Sequence, residues 1–343
     1  MALGDYDISG PEAWHRLQGN SAARWASGPS ADPEEGTAWQ RINAAPFFAP
    51  VIKPEFSIRP SDRIFALGSC FARHVEGALA SLGFAVESLT SDFDEFEVRG
   101  PQNTPIGFMN KYNTESIYNE LRWALEPGAE FPAEGLVPLE QDLWSDPHTS
   151  PAFGHSGRDV ALRRHRLMTD VVRRVADCRV VVITLGLVET FFDTVTGLHT
   201  NSTPPLNVQR ERFRFRVLSH ERLVDGLEHI HQILAERGHP DLHVVVTVSP
   251  VPLDATFSGE DVVVANMFSK SVLRAVAGQW AAQHENVHYF PSYEIVMNSR
   301  REDAWERDGR HVRFELVHHV MSLFAEAHLH AYVAPVAVDT VGP

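Results

Sequence analysis

Two stretches of the chain, RVVVITL at 179–185 and LHVVVTV at 242–248, are apolar almost without interruption and rich in β-branched residues. A strand with one face in water alternates apolar and polar side chains. A short continuous run suits a strand buried on both faces, as in a parallel sheet covered by helices. The surrounding pattern agrees, because from Arg63 onward short apolar runs alternate with segments of helical period. A strand is expected at 63–67, then a turn at Gly68-Ser69 and a helix with Val75, Leu79 and Leu82 on one face. A second strand follows at 84–89, and Thr114 is expected to cap a helix that turns Ile117, Leu121 and Leu125 inward. Further helices are expected at 158–176, 219–237, 266–283 and about 314–330, with a last short strand at 287–290. The fold class is α/β with a mostly parallel sheet.

The 343 residues suffice for one large domain, expected at 56–331. Residues 1–55, rich in Gly, Ser, Ala, Pro and acidic side chains, read as an arm over that domain, and 332–343 as a tail. A polar loop spans 90–113, and 131–157 has no period. A formal charge of −15 would repel a phosphate backbone, which argues against nucleic acid as a partner. Cys70 and Cys178 cannot make a disulfide framework, which fits a reducing compartment. The N-terminus lacks the basic start and apolar run of a signal peptide, and no stretch approaches the roughly 18 apolar residues of a membrane span. The expected location is the cytoplasm, with no membrane association.

Ligands of open α/β sheets gather at the carboxyl ends of the strands. Here those ends carry Gly68-Ser69, Thr184-Leu-Gly186, Ser249-Pro-Val and, past the last strand, Asp308 and His311. A serine between a strand and a helix presents its hydroxyl at the sheet rim, where a helix N-terminus favours developing negative charge. The same position also suits a plain helix cap. Asp308 and His311, three apart, supply a base and the carboxylate that would hold it in one tautomer. Ser69, Asp308 and His311 are therefore the expected catalytic residues. Cys70, one residue further round the turn, is the rival nucleophile and is expected to face the core beside Phe71.

The segment Ala66-Leu-Gly-Ser-Cys-Phe-Ala72 contains a GSCFA signature and resembles the GSCFA family, a group related to the SGNH (GDSL-like) hydrolases. Asn103–Asn113 (NTPIGFMNKYN), TLGLVE from Thr184, SPVPL from Ser249, NMFSKSVL from Asn266 and YFPSYEIVM from Tyr289 resemble the same family. The resemblance implies a three-layer α/β/α sandwich of SGNH type, with Ser69 as nucleophile and Asp308 and His311 completing the triad. It also implies that the N–H groups of Ser69 and Gly107 form an oxyanion hole. Where an SGNH hydrolase reads G-x-N-D, this chain reads Gly186-Leu-Val188-Glu189, so the usual asparagine donor is missing. Asn113, Asn201 and Asn266 are candidates to replace it, with Asn266 favoured.

Glu189, just past a strand end, could bind a substrate hydroxyl or stand as a solvated carboxylate, and Lys270 could face the cleft or stand in solvent. Arg210, Arg212, Arg214 and Arg216, interleaved with Phe213 and Phe215, have the period of a solvated edge strand more than of a phosphate or coenzyme A site. The 18 histidines include no H-E-x-x-H or similar paired spacing, and His318-His319 and His328-Leu-His330 are expected on the surface of the last helix. No catalytic metal and no cofactor are expected. Three functions are compatible with this reading: an esterase, in which water resolves an acyl-Ser69; an O-acyltransferase, in which another hydroxyl does; and a non-catalytic binding module. The substrate would be a small-molecule or carbohydrate ester.

Overall fold

Val180–Leu185 and His243–Val248 do form adjacent parallel strands, paired from Val180↔His243 to Leu185↔Val248. The computed structural model describes residues 7–26, 35–90, 92, 107 and 109–329. The expected tail at 332–343 and most of 103–108 lie outside them. In chain order the helices are α1 (Gly10–Leu17), α2 (Ala38–Ala44), α3 (Phe71–Ser81), α4 (Thr114–Leu125), α5 (Arg158–Arg173), α6 (His220–Arg237), α7 (Val262–Gln283), α8 (Ser292–Met297), α9 (Arg301–Ala304) and α10 (Phe314–His328). The strands are β1 (Arg63–Gly68), β2 (Ala85–Val86), β3 (Val137–Pro138), β4 (Trp144–Ser145), β5 (Val180–Leu185), β6 (Glu189–Asp193), β7 (Leu198–His199), β8 (Phe213–Val217), β9 (His243–Val248) and β10 (Val287–Tyr289).

The described residues divide into two compact units, Ser61–Tyr293 and Asp7–Pro60 with the chain from Glu294. The first contains the parallel sheet, in the order β10-β9-β5-β1-β2. Phe65, Leu67, Val181, Ile183, Leu185, Val244 and Val246 pack from one face against buried residues of α4, α5, α6 and α7. The opposite face, with Ile64, Ala66, Val180, Val182 and Val245, is equally buried, and α3 packs against β1, β2 and β5. Burial on both faces is why these strands lack alternation. The fold is α/β, a parallel sheet flanked by helices.

In this order the chain leaves β1 for β2 on one side and then returns to β5 on the other. The topological switch point therefore lies between the carboxyl ends of β1 and β5. Three local expectations shift. Asn113, not Thr114, caps α4, through a capping box with Ser116. α7 starts four residues early because the Asp261 side chain accepts the Val263 N–H. Between β5 and α6 the chain builds a small antiparallel sheet, β7-β6-β8, whose edge strand β8 carries Arg214 and Arg216 outward. Arg212 departs from that stripe and forms a buried ion pair with Asp193 at 2.6 Å. No helix among the described residues is long and apolar enough to cross a membrane.

In the second unit, residues 46–58 are bonded to the C-terminal segment. Phe48 N–H donates to Ser299 Oγ (3.0 Å), Arg300 N–H to Pro46 O (2.9 Å) and Ile58 N–H to His328 O (2.7 Å). His319 and His328, expected on the surface, are drawn into this network: His319 Nε2 lies 3.2 Å from Phe48 O, and His328 Nδ1 lies 3.3 Å from Phe56 O.

In the first unit, Lys111 and Glu120 form an ion pair at 2.5 Å with both side chains inaccessible to solvent. Removing one partner leaves an uncompensated buried charge, so Lys111→Met should cost about 3–5 kcal/mol in chemical denaturation. Lys111→Met combined with Glu120→Leu should recover most of that loss. A second prediction concerns acid. Burial pushes the His148 imidazole down to about 4, against the pull of Asp146, and burial likewise pushes His199 down to about 4, helped by Arg216 and Arg222. Both folded values lie below the unfolded 6.5, so the unfolded chain binds these protons first. Stability is then lost as pH falls from 6.5 to 4, by about 3 kcal/mol for His148 alone. Denaturation midpoints measured across that range should fall, and His148→Asn should flatten the dependence.

Candidate functional site

β1 ends at Gly68, whose φ of +118° belongs to the region glycine alone enters freely. A Cβ there would lie 2.2 Å from Thr184 O and 2.6 Å from Thr184 Oγ1, so the close approach of β1 to β5 also requires glycine. Ser69 follows at the switch point, 3% exposed. Its hydroxyl lies 3.2 Å from Thr184 Oγ1 and accepts a long hydrogen bond from Phe71 N–H (3.4 Å). The N-cap position of α3 falls on Cys70, whose side chain makes no capping bond. Cys70 is half-buried, whereas Phe71 is the residue that enters the core.

The Ser69 N–H, expected to point at a developing oxyanion, instead donates to Thr184 O at 3.1 Å. The reason is register. Gly68 pairs with Thr184, and the parallel ladder continues one residue beyond the strand end. Thr184, one of the expected strand-end residues, is thus the direct neighbour of the serine, a contact that follows from aligning the two strand ends, G-S and T-L-G.

Gly186 packs on the same point, since a Cβ there would lie 3.3 Å from Ser69 Cβ and 2.7 Å from Tyr112 O. Two residues of α7 hold the turn that follows: Lys270 Nζ donates to Gly186 O (2.8 Å), and Ser269 Oγ accepts from Val188 N–H (3.3 Å). Lys270 is therefore neither solvated nor in a cleft; it is fully buried. Leu187 N–H donates to Tyr112 O (2.7 Å) and Lys111 N–H to Gly68 O (2.7 Å), which brings the 109–113 loop onto both strand ends.

That loop consumes two of the three candidate asparagines. Asn113 donates its amide hydrogens to Thr200 O (2.9 Å) and Thr190 Oγ1 (3.4 Å) while its oxygen caps α4. Asn201 accepts from Tyr112 N–H and donates to Asn110 O, both at 2.8 Å. Both are clamps on the loop, which explains their burial. Asn266 differs: its oxygen accepts from Leu253 N–H (3.1 Å), which orients the amide, and its NH₂ bonds no group among the described residues. Gly107 is buried, and its N–H has no acceptor among the described residues. Glu189 is committed, accepting from Thr256 Oγ1 (2.6 Å) and Phe257 N–H (3.3 Å), so it anchors the loop after β9 rather than standing in solvent.

In the second unit Asp308 and His311 meet. The loop closes through a Trp305↔Val312 bridge and a bond from Glu306 N–H to His311 O (2.8 Å), with Gly309 at φ +66° making the reversal. Asp308 Oδ1 accepts from the N–H groups of Arg310 (2.9 Å) and His311 (3.0 Å), and Oδ2 lies 2.5 Å from His311 Nδ1. The His311 side chain, followed by the two amides, holds the Asp308 carboxyl well below the usual carboxylate range. With Asp308 ionised, Nδ1 carries the proton and Nε2 is the basic nitrogen. The imidazole is half-exposed, beside an open depression of about 560 Å³ lined by Glu302, Trp305, Glu306, Arg307, Asp308 and Arg313.

Comparison with known proteins gives one extensive match: the sequence model of the GSCFA family covers residues 63–324. No curated protein sequence matches the chain significantly. Among solved structures, a family 3 carbohydrate esterase of Clostridium thermocellum is similar at 12% identity and a TM-score of 0.35, over 77% of this chain and 94% of that one. A carbohydrate esterase family 3 protein from Talaromyces cellulolyticus is similar at 13% and 0.36, over 77% and 95%. Likenesses this distant transfer no activity.

Because Gly68 has neither a permitted φ nor space for a side chain, Gly68→Ala should lower stability by at least about 2 kcal/mol in denaturant titration. Gly77→Ala, an exposed position with open space around its missing Cβ, should be neutral or slightly stabilising.

Proposed function

The chain belongs to the GSCFA family, and on that premise we propose that it is a serine esterase that cleaves an acyl ester of a carbohydrate or small metabolite through an acyl-Ser69 intermediate. The observation that carries this reading is the Asp308–His311 pair, a histidine held by an ionised carboxylate in the tautomer a general base requires. Ser69, at the switch point of the sheet, supplies the nucleophile. Its Oγ attacks the ester carbonyl as Nε2 of His311 takes the hydroxyl proton. The oxygen that becomes negative is met by the Gly107 N–H and the Asn266 NH₂. Collapse breaks the bond to the alcohol, which leaves with the proton from His311. Water, deprotonated by the same nitrogen, then attacks the acyl-serine and releases the acid.

A second reading, a non-catalytic binding module, draws on one observation: the Ser69 amide is engaged by Thr184 O and its hydroxyl is nearly covered. A fluorophosphonate probe separates the two. Under the esterase reading it modifies Ser69, Cys70→Ala is still labelled, and Ser69→Ala is neither labelled nor active on short acyl esters. Absence of labelling on the folded parent chain would favour the module.

Asn266→Ala should lower kcat by about a hundredfold with little change in KM, as expected for a donor used in the transition state. Asp308→Asn should lower kcat by about a thousandfold or more, because the amide no longer selects the Nδ1–H tautomer.

A further inference from the structure

His284 ends α7, and its ring meets α6 at the amino-terminal edge of the sheet, just before β10. His284 Nε2 lies 2.9 Å and 3.0 Å from the two carboxylate oxygens of Glu228. His231, one turn beyond Glu228 on the same face of α6, places its ring 3.8 Å from that of His284 at an interplanar angle of 30°. One ligand atom from each residue lies within 4.8 Å of the others. All three side chains are half-buried, so the cluster is fixed by packing and still open to solvent. The floor is rigid, because Trp280, 2% exposed, sets its edge against His231.

The Glu228 carboxylate meets only one of the two stacked imidazoles directly. Two neutral nitrogens and a carboxylate oxygen form the borderline donor set that suits a first-row divalent ion, above all zinc. Donors on a tetrahedral zinc sit roughly 3.4 Å apart, so no pair of donor atoms needs to close by more than about 1.4 Å. His231 Nε2 already lies 3.0 Å from Asn286 Oδ1, the outer contact that orients a ligating imidazole.

We propose that Glu228, His231 and His284 form a zinc site that staples α6 to the turn between α7 and β10. Ser69 follows the carboxyl end of β1, and this cluster lies at the amino ends of the same parallel strands. Three protein ligands leave the fourth position of a tetrahedral ion to water, and the site is independent of the esterase reading. No spacing in the chain announces the cluster, because Glu228-x-x-His231 is a short pair whose third member lies in a distant segment.

The test uses the full chain without a histidine tag, stripped with a chelator and titrated with Zn²⁺ by calorimetry and with Co²⁺ by visible absorption. One ion should bind per chain with micromolar affinity or better, with the ligand-field bands of a tetrahedral site, and saturating Zn²⁺ should raise Tm by several degrees. His284→Ala should weaken binding at least about tenfold and abolish the Tm rise. Glu228→Gln, which keeps the shape and a hydrogen bond to His284, guards against a folding defect and should also weaken it. The proposal falls if the stripped parent binds no Zn²⁺ at millimolar concentration. It also falls if both folded variants bind as the parent does, since the ion would then sit on other histidines.

Discussion

The contact between Gly68 and Thr184 is the constraint on which the rest of the site depends. Two parallel strands end side by side, and the missing side chain at position 68 lets the backbone of β1 pass within van der Waals distance of the β5 carbonyl. That closeness sets the register, carries the ladder on to the Ser69 amide and puts the Thr184 hydroxyl next to the Ser69 hydroxyl. Gly186 repeats the device just past the end of β5, where only hydrogen fits between Tyr112 O and Ser69. Small residues here are a matter of space.

Around that contact the structure buries several polar groups against specific partners. Lys111 is held by Glu120 and His148 O, Lys270 by Gly186 O, and Asn113 and Asn201 by loop carbonyls. Such groups contribute little net energy when satisfied and cost much when orphaned, so they penalise any other arrangement of the loops. The outcome is geometric: three separate loops, at 109–113, 186–188 and 199–201, are locked to one another and to α7 by directional bonds. Asn266, one turn before Lys270 on α7, is thereby fixed relative to the same turn while its NH₂ bonds no group among the described residues.

The Asp308–His311 loop achieves its order by local means. A glycine reversal, a backbone bridge and an aspartate that accepts two amides define the imidazole without help from burial. The pair is half-exposed, so its order comes from hydrogen-bond geometry, and water screens its charges.

Much of this was legible in the chain itself. Continuous β-branched runs could only be strands covered on both faces, the glycine-serine turn could only lie at a strand end, and an aspartate three residues before a histidine contained its own pairing. These features are local, or depend on a period that a sequence displays directly. Tertiary structure decided everything that depends on segments far apart in the chain. It gave Thr184 rather than an oxyanion the Ser69 amide, made Asn113 and Asn201 clamps, buried Lys270, and set Glu189 to hold a loop. It also brought His284 to Glu228 and His231. In each case a polar side chain's role was set by which distant carbonyl, amide or ring came within about 3 Å of it, and a hydrogen bond at that range leaves no periodic mark in the sequence.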